Sequence, residues 1–173
     1  MENKTYEKFP FWMVLISDAV SFGIYLIGAY IIYQFGLIWF CLYLLFCLYQ
    51  EFRVMRLSCI HCYYYGKLCG LGKGKIASLF LKKGDPKKFL EKDITWKDLI
   101  PDLLVALIPF LAGIYLLVTM FNWLMLCLTA ILLLITTFGN GYIRSNIVCK
   151  YCKQRELGCP AEKLFSRSSG STR

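Results

Sequence analysis

The sequence predicts an all-α integral membrane protein with four transmembrane helices, arranged as two tandem parallel repeats. Two observations lead to this fold class. Hydrophobic residues make up 58% of the 173 residues and the mean hydropathy is +0.53, which is too apolar for a soluble globular domain. The pattern C-x2-C-x6-C also occurs twice, at residues 59–69 and 149–159, with an offset of 90 residues. Each repeat is predicted to be a helix hairpin followed by one of these cysteine modules.

Four long apolar segments predict the transmembrane helices. A helix of about 20 apolar residues spans the roughly 30 Å hydrocarbon core of a bilayer. The first segment is not a signal peptide, because it is too long, lacks a small-x-small cleavage site and runs directly into a second apolar segment. The fourth is expected to end where Gly139-Asn140-Gly141 precedes Arg144. The helices are expected at about 9–33, 37–57, 99–121 and 123–143.

The basic residues predict the orientation in the membrane. The net charge is +9, and all 20 Lys and Arg residues lie in the N-terminal tail, in the loop from Arg53 to Lys97, or in the segment from Arg144 onward. The hairpin tips, residues 34–36 and 121–122, carry no charge. Because Lys and Arg near helix ends remain in the cytoplasm, both termini and both cysteine modules are predicted to be cytoplasmic. The chain is therefore expected in the plasma membrane or an inner cell membrane.

The loop between the hairpins contains a basic amphipathic segment. Residues 75–83 are predicted to form a short helix with Ile76, Leu79 and Phe80 on one face, lying in the membrane interface. A linker at 84–98 leads to the second repeat, and the Ser-rich tail 166–173 is predicted to be disordered. The lysines expected to contact anionic lipid headgroups are Lys73, Lys75, Lys82 and Lys83.

Asp18 is the carboxylate that lies clearly inside an apolar segment. An acid at this depth is either an intramembrane functional site or a structural residue with a nearby partner. The favoured interpretation is structural, because Asp18 lies about two turns from the cytoplasmic end. There it can hydrogen-bond Ser17, Ser21 or a basic residue at the headgroup level.

Further matches at the offset of 90 support an internal repeat. Gly23-Ile-Tyr-Leu26 matches Gly113-Ile-Tyr-Leu116, Thr5 matches Thr95, and Lys73 matches Lys163. Repeat 1 is assigned to 1–83 and repeat 2 to 99–165. Since each repeat has two spans, both have the same orientation, and a pseudo-two-fold axis along the membrane normal is expected to relate them. The two modules would then face each other on the same side.

Six cysteines in matched triplets predict a metal site. Disulfides are rare in the cytoplasm, and two cysteines at i and i+3 can chelate one ion. Three thiols per module are one short of the four ligands of a structural zinc site. Cys41, Cys47 and Cys127 lie in apolar helices and are interpreted as packing residues. The predicted ligands are Cys59, Cys62, Cys69, Cys149, Cys152 and Cys159.

Two arrangements supply the missing ligands. Together, the modules hold two zinc ions if two thiolates bridge. The doubled spacing resembles the binuclear Zn₂Cys₆ cluster of fungal transcription factors, and this resemblance implies that Cys59 and Cys149 bridge. It covers only the two modules and implies neither a shared fold nor nucleic-acid binding. Alternatively, each module binds its own metal with an outside ligand. His61 can complete the first module in this way, but its counterpart in the second is Tyr151.

The leading functional hypothesis is a non-enzymatic membrane protein with a structural zinc centre. Iron–sulfur redox chemistry is the main alternative, since thiolates also bind those clusters. Metal transport or sensing, and free thiols without metal, are further alternatives. No catalytic residues are predicted, because the chain has one His and no intramembrane acid–base pair.

Overall fold

The computed structural model describes residues 5–91 and 96–160, and the regular secondary structure of this part is helical. Four helices are long and apolar enough to cross a membrane. Within the described residues there is no strand, and Tyr6 and Cys152 form an isolated β-bridge. The prediction of an all-helical chain with four such helices is confirmed. The four candidate spans are Phe11–Tyr33, Leu37–His61, Asp98–Thr119 and Trp123–Tyr151.

Each long helix pair is joined by a tight turn. Gly36, with φ 112°, allows the first turn because a residue with a Cβ rarely adopts that angle. At the second turn, the Asn122 side chain accepts a hydrogen bond (2.9 Å) from the Leu124 N–H. The helices are α1 (Phe11–Tyr33), α2 (Leu37–Leu57), α3 (Lys73–Phe80), α4 (Pro86–Glu91), α5 (Trp96–Thr119) and α6 (Trp123–Leu134). Of the predicted features, the tail 166–173, Thr95 and Lys163 lie outside the described residues.

The fourth helix does not end at Gly139-Asn140-Gly141 as expected from the sequence. It continues beyond α6 through the π-helical segments Ile135–Gly139 and Ile143–Val148 to a 3₁₀ turn at Cys149–Tyr151. In apolar surroundings a helix that stops leaves backbone groups without partners, so a local change of helical pitch costs less than an end. The second cysteine module therefore follows this helix directly.

Helices α1 and α5 form the centre of the bundle. They pack against each other, α1 also contacts α2 and α6, and α5 also contacts α2 and α6. Their inward faces form two hydrophobic clusters together with residues of α2 and α6. One contains Ile24, Ile31, Ala106, Met125 and Leu132, and the other contains Ala29, Ile32, Tyr43, Cys47 and Val105.

Pro109 explains a buried hydrogen bond between α2 and α5. Proline has no N–H, so the Val105 carbonyl one turn earlier lacks its usual helical donor. The Tyr43 hydroxyl donates to that carbonyl (2.9 Å). Gly28 of α1 makes room, since a Cβ there would lie 3.1 Å from Pro109 Cγ and closer still to the Tyr43 hydroxyl.

The outer faces of the long helices are apolar and exposed. Phe22, Leu26, Ile38 and Val118 are each more than 60% exposed, although all four are large hydrophobic side chains. Large contiguous apolar surfaces are rarely exposed on monomeric soluble proteins. The four helices are thus compatible with a membrane protein.

Candidate functional site

The two cysteine modules have the same local backbone structure. Cys59–His61 and Cys149–Tyr151 each form one 3₁₀ turn, and an extended cysteine follows. The Cys62 N–H donates to the Cys59 carbonyl (3.3 Å), and the Cys152 N–H donates to the Cys149 carbonyl (3.4 Å). The next bond matches as well: Tyr65 N–H to Cys62 carbonyl is 3.1 Å, and Arg155 N–H to Cys152 carbonyl is 3.0 Å.

The modules contact each other through two reciprocal hydrogen bonds. The Tyr63 N–H donates to Gln154 Oε1 (2.7 Å), and the Lys153 N–H donates to the Tyr64 hydroxyl (2.9 Å). Tyr63 and Lys153 are equivalent at the offset of 90, and so are Tyr64 and Gln154. In each module, a side-chain oxygen therefore accepts a hydrogen bond from the equivalent backbone N–H of the other module.

Tyr64 lies at the centre of the contact between the modules. It is 1% exposed, and its hydroxyl also donates to the Tyr6 carbonyl (2.5 Å). Phe9, 2% exposed, packs on the Tyr64 ring with 5.5 Å between centroids. The Cys62, Cys69 and Cys152 side chains pack against this same cluster.

The N-terminal segment, residues 5–9, lies across both modules. The Tyr6 N–H donates to the Tyr151 carbonyl (3.0 Å), and the Phe9 N–H donates to the Leu68 carbonyl (3.1 Å). Lys153 Nζ lies 3.1 Å from Glu7 Oε1. This hydrogen-bonded ion pair lowers the pKa of Glu7 and raises the pKa of Lys153. The segment holds one module against the other.

The thiols of the two modules lie within electrostatic range of one another. None of the nine cysteines, all of which lie in the described residues, forms a disulfide. Cys69 and Cys159, one from each module, both help to raise the pKa of Cys62, and Cys62 helps to raise the pKa of Cys152. Cys152 also neighbours Cys149. The structure therefore brings together residues from both predicted ligand triplets.

Burial favours the protonated form of Cys62 and Cys152. It raises the pKa of Cys62 to about 11 and that of Cys152 to about 12, and neighbouring thiols add to both shifts. A thiolate in this position needs a cation beside it. Within residues 5–91 and 96–160, no group of three or more His, Cys, Asp or Glu side chains is arranged as around a metal ion. Metal binding would require the sulfur atoms to draw closer together.

His61 lies in the 3₁₀ turn that begins the first module. Its Nδ1 is 2.8 Å from the Asp85 carbonyl oxygen, so Nδ1 carries the proton and donates. The ring packs directly on Gly84, where a Cβ would lie 2.3 Å from the imidazole. The Gly84 N–H also donates to the Ile60 carbonyl (2.9 Å). His61 thus fixes the path of the loop beyond α3.

Asp18 faces the glycine-rich turn before α3. Gly72 has φ 66°, and a Cβ there would lie 2.7 Å from Asp18 Oδ2. Lys73 and Glu51 also act electrostatically on Asp18. Glu51 accepts a hydrogen bond from the Tyr25 hydroxyl and lies 2.7 Å from Lys73 Nζ. These contacts tie the first module to α1 and α2, which gives Asp18 a structural environment.

The four lysines predicted to meet lipid headgroups have different surroundings. Lys73 is paired with Glu51, as described, and its side chain is 19% exposed. Lys75, Lys82 and Lys83 are exposed. Beside them, Ile76, Leu79 and Phe80 of α3 are also exposed, so the apolar face of this helix is open.

Other basic and acidic residues pair between α2 and α5. Arg53 Nη1 lies 3.8 Å from Asp102 Oδ1, and Arg53 Nη2 lies 3.7 Å from Asp98 Oδ1. Asp102 of α5 thus has a cationic neighbour on α2.

Sequence reasoning missed Tyr64, Gln154 and the N-terminal segment. Tyr64 and Gln154 are equivalent at the offset of 90, and each has a side-chain oxygen, which is the one signal that points to them. Comparison of the chain with protein-family models, curated proteins and solved structures finds no match.

Proposed function

We propose that this chain is a multi-pass membrane protein whose two cytoplasmic cysteine modules form a structural zinc–thiolate centre. The centre clamps two helix-hairpin repeats together. The observation that carries the proposal is the reciprocal pair of hydrogen bonds, from Tyr63 N–H to Gln154 and from Lys153 N–H to Tyr64. Equivalent residues that contact each other lie beside a two-fold axis, and the triplets of thiols then meet across it.

The helix packing supports the same pseudo-symmetry. Under the offset of 90, α1 corresponds to α5 and α2 corresponds to α6. The contact between α1 and α5 then maps onto itself, and the contact of α1 with α6 maps onto that of α5 with α2. Two repeats with the same orientation, related by an axis along the membrane normal, would produce this pattern.

Zinc fits the donor set and the predicted compartment. Six thiolates give each of two zinc ions four sulfur ligands if two of them bridge, and tetrahedral sulfur coordination is typical of structural zinc. Zinc also supplies the cation that a buried thiolate needs. Binding then contributes to folding, because the site forms only when both repeats are in place.

The surface of the protein supports a position in a bilayer. The long helices expose large apolar side chains, and the basic residues at their ends favour cytoplasmic modules and termini. The open face of α3 lies at the membrane interface, with Lys75, Lys82 and Lys83 contacting anionic headgroups. Retention of anionic lipid measured by native mass spectrometry should fall in the variant K82Q/K83Q and not in K8Q.

Metal analysis tests the zinc centre. Protein purified in mild detergent should contain about two zinc ions per chain and be colourless. The triple variant C149S/C152S/C159S should lose the metal, whereas the matched control C41S/C127S should keep it, because those two thiols lie on the exposed faces of α2 and α6. A brown, reducible preparation would favour an iron–sulfur centre. Metal-free protein of equal stability would refute a metal centre altogether.

A further inference from the structure

We propose that the N-terminal segment, residues 5–9, is a gate over the two cysteine modules. The structure shows it closed, against the cluster into which Cys62, Cys69 and Cys152 pack. When it opens, small thiol-reactive solutes reach these side chains while the modules stay joined. The proposal concerns access to the thiols and not what they bind, so it goes beyond the zinc centre and does not depend on it.

The segment is attached to each module beside a cysteine. The Tyr6 N–H donates to the carbonyl of the residue before Cys152 (3.0 Å). The Phe9 N–H donates to the carbonyl of the residue before Cys69 (3.1 Å). Tyr6 and Cys152 also form the isolated β-bridge, so their backbones lie side by side. The segment therefore passes directly beside one cysteine of each module.

The Phe9 side chain anchors the segment next to the thiols. Phe9 is 2% exposed, and it belongs to the buried cluster against which Cys62, Cys69 and Cys152 pack. Gly70 allows this close packing, because a Cβ there would lie 3.2 Å from Phe9 Cε1. Loss of the ring would therefore remove one wall of the surroundings of these thiols.

Apart from Phe9, the segment is held weakly. Phe9 is the one buried residue among residues 5–9, and Glu7 and Lys8 are exposed. The ion pair with Lys153 leaves 74% of the Glu7 side chain exposed, and exposed ion pairs contribute little to stability. Segments with few buried apolar contacts open at a lower free energy than the core does. The segment can therefore open while the helix bundle stays folded.

The modules remain joined when the segment opens. Neither of the two reciprocal hydrogen bonds that connect them, at the N–H groups of Tyr63 and Lys153, includes an atom of residues 5–9. Opening breaks the bond from the Tyr64 hydroxyl to the Tyr6 carbonyl, and water replaces that acceptor. The Tyr64 hydroxyl continues to accept from the Lys153 N–H. A gate therefore exposes the thiols without separating the modules.

Alkylation by N-ethylmaleimide, measured for each thiol by mass spectrometry, tests the gate. Cys62 and Cys152 report on the gate, the exposed Cys149 lies outside it, and Cys47, 5% exposed in the bundle, reports on unfolding. Phe9→Ala should speed the reaction of Cys62 and Cys152 by about tenfold or more, because the buried aromatic ring contributes at least that factor to closure. The rates at Cys149 and Cys47 should stay as in the wild type.

Phe11→Ala is the matched control, because Phe11 at the start of α1 is 69% exposed. This variant should leave all four rates unchanged. Unchanged rates at Cys62 and Cys152 in Phe9→Ala would overturn the gate. So would acceleration that includes Cys149 or Cys47. Faster reaction at Cys149, itself a predicted ligand, would indicate loss of metal, and faster reaction at Cys47 would indicate a loosened bundle.

Hydrogen exchange in the wild-type protein tests opening without any substitution. After correction for intrinsic rates, the amides of Tyr6 and Phe9 should exchange faster than those of Tyr63 and Lys153, which donate between the modules. Equal exchange at all four would mean that segment and modules open as one unit, and it would overturn the gate. Metal content decides the proposed function separately, so failure of one proposal is distinguishable from failure of the other.

Discussion

The hydroxyl of Tyr64 and the backbone N–H of Lys153 are joined by a 2.9 Å hydrogen bond across the two cysteine modules. In the equivalent bond, the first module is the donor: the Tyr63 N–H donates to Gln154 of the second module. The two bonds join residues that are 91 and 89 positions apart in the chain. They therefore align one module with the other. This contact brings two cysteine modules together that are distant in the chain.

Tyr64→Phe should destabilise the contact between the modules. The hydroxyl donates to the Tyr6 carbonyl and accepts from the Lys153 N–H, so its loss leaves two partly buried backbone groups without these partners. A decrease of about 1–3 kcal/mol in the free energy of unfolding is expected. Thermal unfolding in detergent measures it. The exposed Tyr49 of α2 provides the matched control, and Tyr49→Phe should have little effect. Equal stability of both variants would contradict a central role for Tyr64.

Tyr43→Phe should destabilise the bundle because of Pro109. The Val105 carbonyl has no helical donor at that position, and the Tyr43 hydroxyl is its partner. Buried hydrogen bonds between membrane helices contribute about 0.6 kcal/mol on average and up to about 1.7 kcal/mol. Unfolding in a denaturing detergent should show a loss of this size.

Pro109→Ala is the internal control for that prediction. Alanine restores an N–H one turn after Val105, so the carbonyl regains a helical donor. Tyr43→Phe should therefore cost less in the P109A background than in the wild type. An equal cost in both backgrounds would mean that the hydroxyl acts through packing rather than through the orphaned carbonyl.

Gly72→Ala should weaken the attachment of the first module to α1. Gly72 has a left-handed conformation, which costs an L-residue about 1–2 kcal/mol. The added Cβ would also press against the Asp18 carboxylate at 2.7 Å. The free energy of unfolding should fall by more than the cost of the left-handed backbone conformation alone.

Gly23→Ala provides the comparison for Gly72. Gly23 lies inside α1, and a Cβ there meets nothing within 4 Å. Alanine favours the helix over glycine by roughly 0.5–1 kcal/mol, so this variant should be equally stable or more stable. Similar losses at both positions would show that Gly72 has no special conformational role.

Cysteine labelling in intact cells tests the predicted orientation. The hairpin tips contain no charge, and the basic segments lie at the other ends of the helices. Gln34→Cys and Phe121→Cys should react with a membrane-impermeant maleimide added outside the cells. Lys83→Cys should react only after permeabilisation. Labelling of Lys83→Cys in intact cells would place the modules on the outer side.

The sequence predicted the helices well because length and apolarity determine them. The segments around α1 and α2 were predicted almost to the residue, since charge and glycine mark their ends. The predicted end of the fourth helix was wrong. In water, Gly139 and Gly141 would favour the end of a helix. An apolar environment instead favours continued backbone hydrogen bonding.

The candidate site was only partly predictable. The offset of 90 identified the two cysteine triplets and matched their residues. It carried no information about which atoms form contacts between the modules. The Tyr64–Lys153 bond and the position of the N-terminal segment over the modules depend on three-dimensional packing. From the sequence, residues 1–8 were interpreted only as a polar tail. Asp18 showed the same limit: its environment depends on Gly72, which is distant in the chain.

The metal content of the purified wild-type chain tests the central claim most directly. Elemental analysis together with quantitative amino-acid analysis gives the ratio of metal to protein on one sample. A shared centre of six thiolates predicts about two zinc ions per chain, lost together in C149S/C152S/C159S. A chain that contains no metal, and unfolds at the same temperature with and without a strong chelator, would contradict it.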